Sequence, residues 1–458
     1  MTHSDLIQRP TLRPYQLEAI ERLDQRVAAG VRRVCLVAPT GAGKTSIASS
    51  LILRAIERGE RVVFLAHRRE LISQAFTRLL DFGLPGSCVG ILMGSDRRRR
   101  PGAPIQVASV DTLRNRSKPI ADVVFTDECH RATAKSYRNI AACYPDALHI
   151  GLTATPYRAN GKGLGDAYDE LVVVTSPKQL IAEGYLVEPR VFTVPKAEQP
   201  DLRGVRVARG DYASELLEQA MNRQSLVGNI VEHWKKHADG IRTVVFAVSV
   251  AHSKHITERF REAGIAAEHL DGMMATDDRD AVLRRLSEGT TRVVSNVGVL
   301  CEGWDQPSVK CAVLARPTKS TGLYLQQAGR ILRPWEDHPA IILDHGGCVL
   351  EHGLPQDDRE FSLEGKKKRA GKPGEAPVRV CPDCNAVVHI SIRICPECSA
   401  ELFSERDIPE EAHGELVEVT EVPAKKPKKR PYRSIYDELR VAARSHQSLD
   451  WAAVEEWA

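Results

Sequence analysis

No run in the sequence approaches the ~18–20 consecutive apolar residues that a membrane-crossing helix requires, which excludes a helical membrane protein. The opening residues Met1-Thr2-His3-Ser4-Asp5 lack the basic-then-apolar layout of an export signal, so the expected location is cytoplasmic. Neither charge dominates: Lys and Arg exceed Asp and Glu by only four, and bulk electrostatics therefore point to no nucleic-acid partner. The eleven cysteines are an odd number in a chain without an export signal, which argues against a disulfide framework. No nuclease, deaminase or protease motif is present to narrow the chemistry.

With 458 residues the chain is too long for one core, and its length predicts about three domains. From Val34 to Asp127 short apolar runs alternate with helical segments: Val34–Ala38, Val62–Ala66, Ile105–Ala108 and Val123–Thr126 read as strands, Thr45–Glu57 and Arg69–Leu80 as helices. That alternation predicts a doubly wound parallel sheet. After Pro177 the pattern recurs, with strands at Thr243–Ala247, Arg292–Ser295, Cys311–Leu314 and Ala340–Asp344 and helices at Ser253–Ala263 and Asp277–Ser287. This second block has no phosphate loop of its own. Expected boundaries are 1–176 and 177–346 for the two α/β domains, 347–377 for a linker, 378–402 for a cysteine module, and 403–458 for a flexible charged tail with short terminal helices. Basic runs occur at Arg97–Arg100, Lys366–Arg369 and Lys425–Arg430. Each could meet phosphates or be a solvated loop.

Three motifs imply phosphoryl chemistry. Ala38-Pro39-Thr40-Gly41-Ala42-Gly43-Lys44-Thr45 joins a strand to a helix, the context in which backbone N–H groups and the helix N-terminus cradle phosphates. Lys44 would lie against the β- and γ-phosphates of ATP, and the Thr45 hydroxyl would ligate Mg²⁺. Asp127 and Glu128 end a central strand beside that loop. Asp127 suits Mg²⁺ and Glu128 the polarising of a water molecule. In the second block Gln326, Arg330 and Arg333 read as one helix face, with arginines at i, i+3 able to meet developing negative charge and Gln326 able to orient the water. The competing reading of that segment is an exposed basic helix.

Cys381-Pro-Asp-Cys384 and Cys395-Pro-Glu-Cys398 are two knuckles ten residues apart. Four thiolates at this spacing complete a closed tetrahedral Zn²⁺ site whose binding supplies the folding energy of so short a segment. A redox dithiol pair is the alternative, without the strand–helix context it needs. Arg379 and Arg393 could contact phosphate, so a DNA-binding module, a packing cap and a partner-docking module all stay open.

Taken together, from about Leu12 to Asp344, the chain resembles the superfamily-two helicases of the DEAD/DEAH type, as a member with the box Asp127-Glu128-Cys129-His130. The wording Ala66-His67-Arg68-Arg69-Glu70-Leu71 and Cys301-Glu302-Gly303-Trp304-Asp305, with a cysteine module behind the second domain, is most similar to the bacterial RadD-type ATPases of DNA repair. The resemblance implies two tandem RecA-like domains sharing one ATP, and adds Gln16 as the adenine reader and Asp305 beside the nucleotide. It also implies nucleic-acid contacts at His67, Arg68 and Thr112, and Thr153 in the segment coupling hydrolysis to movement. The function it implies is an ATP-dependent helicase or translocase on DNA in recombination or repair, working as a monomer, with a repair-protein partner on the ribbon or tail. An RNA helicase, or an ATP-gated DNA clamp that recruits partners without unwinding, are the alternatives.

Overall fold

The computed structural model describes residues 10–402 apart from 159, 194–201, 203–204, 209, 222–223, 366–377 and 390. The expected tail, its terminal helices and the basic runs at 366–369 and 425–430 lie outside the described residues.

Seven parallel strands form the first sheet: β1 (Arg33–Val37), β2 (Val62–Ala66), β3 (Val89–Leu92), β4 (Ile105–Ser109), β5 (Val123–Asp127), β6 (Leu148–Thr153) and β7 (Glu170–Val173). They lie in the order β3-β4-β2-β5-β6-β1-β7. Every residue of β2, β4 and β5 is buried, as expected for strands covered by helices on both faces. Phe64 and Phe125 stack across neighbouring strands with ring centroids 6.3 Å apart, each burial contributing about 2 kcal/mol. Because all seven strands run parallel, their chain exits lie at one end of the sheet.

The second sheet is also wholly parallel. After β8 (Pro189–Thr193) comes a small hairpin, β9 (Val207–Ala208) with β10 (Asp211–Tyr212), then β11 (Thr243–Phe246), β12 (Ala267–Leu270), β13 (Val293–Asn296), β14 (Cys311–Leu314) and β15 (Ala340–Asp344). The order is β12-β13-β11-β14-β15-β8. The sheets match the expected class, two doubly wound α/β units in tandem.

Residues expected to be linker do not all leave the motor. A short helix, Cys348–His352, is followed by a strap that returns to the first sheet. Gly165 N donates to Leu363 O at 2.9 Å, and Phe361 and Leu363 join the apolar cluster of Cys35, Cys129, Leu164 and Tyr168. The approach is so close that a Cβ on Gly163 would lie 1.9 Å from Leu363 O.

The cysteine module pairs β16 (Val378–Val380) with β17 (Val387–His389) and docks on the edge strand β8. Thr193 N donates to Asn385 O at 3.2 Å, Arg190 pairs with Glu397, and Val388 and Leu402 enter the apolar cluster around Phe192 and Trp234. Arg379 donates to Leu402 O, which gives it a structural partner within the ribbon.

Candidate ATP site

The turn after β1 is built by two left-handed glycines, Gly41 (φ 88°) and Gly43 (φ 78°), which lead directly into the helix Lys44–Glu57. Only glycine takes these angles without strain, and the turn aims successive N–H groups at one point. Ala38 and Ala42 are buried behind it, with Pro39 and Thr40 bordering the interdomain side. Lys44 Nζ donates to Ala38 O at 3.0 Å, so the ammonium holds the turn closed. Burial pushes Lys44 down, while Glu128 and Asp127 act to raise it.

Gln16 stands over the same turn. Its Nε2 donates to Ala42 O at 2.9 Å and its Oε1 accepts from Arg13 N at 2.9 Å, so reading a base requires it to change partners. Tyr15 donates to Ala42 O at 3.0 Å and packs edge-on against Tyr185.

β5 ends at the acidic pair. Burial, and then the neighbouring Glu128 charge, push Asp127 up to about 7 against the pull of Lys44. Glu128 has a positive φ of 48°, a sparsely populated conformation for a residue with a Cβ. Its Oε2 lies 3.3 Å from His130 Nδ1 and 3.4 Å from Gln326 Nε2. Burial opposes its charge, but the His130 contact and Lys44 hold it below the usual value.

The arginines differ from the sequence expectation. The α-helix stops at Ala328, Gly329–Ile331 is a 3-10 turn, and Arg333 lies beyond it. Three causes are visible. Gly329 presses on Thr40, where an added Cβ would come within 2.6 Å. Pro334 bars continuation. The buried Lys310 Nζ takes the carbonyls of Ile331 (3.0 Å) and Arg333 (2.7 Å) that a longer helix would need. Arg330 is held by backbone carbonyls, at 2.8 Å from Cys301 O and also at Trp304 O, whereas the more exposed Arg333 pairs with Asp305. Gln16, Lys44, Thr45, Asp127, Glu128, Asp305, Arg330 and Arg333 all line one cavity of about 830 Å³ between the two sheets. A cavity of similar size, about 820 Å³, lies at the opposite end of the first sheet and holds none of these groups.

The expected nucleic-acid residues separate. His67 and Arg68 reach across the cleft to Glu302, at 2.7 Å and 3.1 Å, and Arg131 joins them at 3.3 Å. Burial opposes the Glu302 charge, yet the His67 hydrogen bond and the nearby Arg131 and Arg68 guanidiniums hold its carboxyl well below the usual range. Thr112 Oγ1 accepts from Gly94 N at 3.0 Å and is part-exposed. Thr153 is fully buried, and its hydroxyl donates to Thr155 O at 2.9 Å. Glu302 and Arg131 were not singled out, although Glu302 is the one acid inside an otherwise apolar stretch.

The Sγ atoms of Cys381, Cys384, Cys395 and Cys398 lie within 4.8 Å of one another, with Cys381–Cys398 and Cys384–Cys395 at 3.6 Å. Tetrahedral Zn–S bonds of ~2.3 Å demand sulfur edges of about 3.8 Å, so the donor set fits. Burial works against a thiolate at Cys381, but the N–H groups of Cys384 and Asp383 outweigh it and lower the thiol.

Comparison with known proteins shows the family. The family described as type III restriction enzyme, res subunit, matches residues 9–158, and the helicase conserved C-terminal domain matches 222–334. A 51.5 kDa protein of a Lactococcus phage is 32% identical over 355 residues, covering 77% of this chain and 75% of its own. The putative ATP-dependent helicase IRC3 of Saccharomyces cerevisiae is 32% identical over 381 residues, covering 77% of this chain but 55% of its own, so the chain spans just over half of that relative. Among solved structures, a fragment of a putative HsdR subunit of a type I restriction enzyme from Vibrio vulnificus superposes with TM-score 0.59 at 22% identity, over 78% of this chain and 69% of that one. The shared fold, the paired motifs and the phage relative's coverage lead to one conclusion: the chain belongs to the superfamily-two helicases of the DExH type, the ATP-hydrolysing motors.

Proposed function

We propose that the protein is an ATP-dependent motor on DNA, a translocase or helicase working in recombination or repair like the RadD-type ATPases it resembles. The observation that carries this reading is the single cavity reached from both sheets, with Lys44, Asp127 and Glu128 on one wall and Arg330, Arg333 and Asp305 on the other. Thr45 and Asp127 would hold Mg²⁺, which would neutralise phosphate charge when bound. Glu128, braced by His130 and Gln326, accepts the proton of the attacking water. Arg333 leaves Asp305 for the γ-phosphate as the sheets close, while Arg330 keeps the two second-sheet motifs in register.

Relatives support DNA over RNA as the track: a DNA 3'-5' translocase XPB2 of Sulfurisphaera tokodaii is 24% identical over 379 residues, and type I restriction enzyme subunits of Escherichia coli also match. The four cysteines hold one structural Zn²⁺, and docking of the ribbon on β8 supports a packing role for it first. Among the described residues no helix is long and apolar enough to cross a membrane, and we place the working protein in the cytoplasm as a monomer. The experiment is the ATPase rate with single-stranded DNA, forked DNA, duplex DNA and RNA. Stimulation by DNA supports the reading; stimulation by RNA alone moves it to the RNA helicases, and no stimulation by any of them overturns it.

A further inference from the structure

The run Arg97-Arg98-Arg99-Arg100 takes no part in the ATP site, and the structure separates its four members. The loop after β3 is ordered from within: Asp96 N donates to Met93 O, Arg99 N to Asp96 O, and Ile91 N to Arg98 O. Arg98 is a structural residue, with its backbone N and Nε at 2.9 and 3.0 Å from Asp96 Oδ1, Nη2 at 2.8 Å from Asp96 Oδ2, and its guanidinium over the Phe76 ring. Arg100 is likewise engaged, donating to Gly86 O and Val89 O. Arg97 and Arg99, which flank Arg98, are exposed, and their guanidiniums have no polar partner among the described residues. A loop that locks its second arginine presents the first and third to solvent.

The loop is tied to the rest of the first sheet's exit end. Gly94 N donates to Thr112 Oγ1 at 3.0 Å, and Arg116 Nη2 donates to Gly94 O at 2.8 Å, so it is fastened to the turn after β4. Arg69, exposed at the exit of β2, is near enough to help depress Asp96, though the Arg98 hydrogen bond is the larger cause. Because the strand order is β3-β4-β2 and all three strands are parallel, their exits stand side by side, the outer two about 10 Å apart. Arg69, Arg114, Arg97 and Arg99 therefore share one end of the sheet. The acids that follow these three strands are already committed, Asp96 to Arg98, Asp111 to Arg114 at 3.7 Å and Glu70 to Arg279 at 3.1 Å.

We propose that Arg97 and Arg99 form an arginine ledge at the edge of the first sheet that takes the phosphodiester backbone of a nucleic-acid strand leaving the cleft. It rests on the motor reading above and extends it to residues outside the helicase motifs. Exposed guanidiniums without carboxylate partners gain from phosphate contact through counterion release, and each contact steepens the salt dependence of binding.

The test is fluorescence anisotropy of a labelled oligothymidylate, and of the same length of oligouridylate, titrated with the full chain across a salt series. The variants are R97A/R99A and the charge-keeping R97K/R99K, with thermal melting to check that each folds. The ledge predicts about tenfold weaker binding for R97A/R99A on both strands, a salt slope shallower by about 1.4, and recovery of most of the loss in R97K/R99K. Unchanged affinity and slope in R97A/R99A, with wild-type binding intact, overturn the ledge alone. A loss confined to one sugar type also overturns it, because the contact is then not to the backbone. If the wild-type chain binds neither strand, the motor reading and the ledge fall together.

Discussion

Glu302 Oε2 of the second sheet's exit loop lies 2.7 Å from His67 Nε2 of the first, the shortest of three bonds that Glu302 makes across the cleft. The carboxylate is almost fully buried, and Arg68 and Arg131 complete its shell. Arg68 also donates to Gly298 O at 2.8 Å, and Arg279 pairs with Glu70 at 3.1 Å, so the same seam holds along its length. Removing one partner of such a buried set leaves uncompensated charge.

Glu302→Gln should therefore open the cleft. The Arg68 and Arg131 guanidiniums would face a neutral amide, a cost of about 3 kcal/mol to the closed arrangement. Small-angle scattering should show a larger radius of gyration, and ATP turnover should fall while the melting of each sheet stays separate and cooperative. The sign with pH is fixed by the depressed carboxyl: the contact is fully present above the ordinary carboxylate range and is lost only as pH falls through a value below it.

Lys310→Met should leave the fold standing but misplace the arginine turn. The ammonium holds two carbonyls at 3.0 and 2.7 Å, and methionine fills the space without donating. Expected is about a tenfold lower kcat with ATP affinity nearly kept, since Lys44 and its turn are untouched. An equal fall in affinity would mean that Lys310 supports the whole cavity and not the turn.

Gly163→Ala should release the strap. Its Cβ would stand 1.9 Å from a backbone carbonyl that has no slack, and the clash costs about 2 kcal/mol before Phe361 and Leu363 lose their burial. Limited proteolysis should cut within 353–365, and thermal unfolding should begin earlier. An unaltered digestion pattern would show that the strap bears no load.

Much of this was legible in the sequence, and the gaps have physical causes. Strands buried on both faces, such as Val62–Ala66 and Ala340–Asp344, stand out as apolar runs. Three of the edge strands do not: Glu170–Val173, Pro189–Thr193 and Ala267–Leu270 carry Glu, Arg or His because part of each faces solvent. The phosphate loop and acidic pair are local in sequence and were readable. The set at Glu302 joins residues 171 to 235 positions apart, and no spacing rule reveals it. The strap was hidden for the same reason, since its packing depends on Gly163 of the other end of the fold.

Cys384→Ser should remove the zinc and undock the ribbon. Elemental analysis of the wild-type chain should give one zinc per chain, and the variant none. Because Val388 and Leu402 cover Phe192, loss of the ribbon should also expose that edge strand and lower the melting temperature of the second sheet. A coloured iron centre in the wild-type protein would contradict the zinc assignment.

The central claim is one ATP site built from both sheets, and steady-state ATP hydrolysis by the full chain with single-stranded DNA tests it most directly. Lys44→Ala should abolish turnover, Glu128→Gln should lower it by orders of magnitude while ATP binding persists, and Arg333→Ala should lower it strongly with binding kept. The first two act from the first sheet and the third from the second. Wild-type turnover by Arg333→Ala, with Lys44→Ala inactive, would contradict the account by showing that the first sheet hydrolyses ATP without the second.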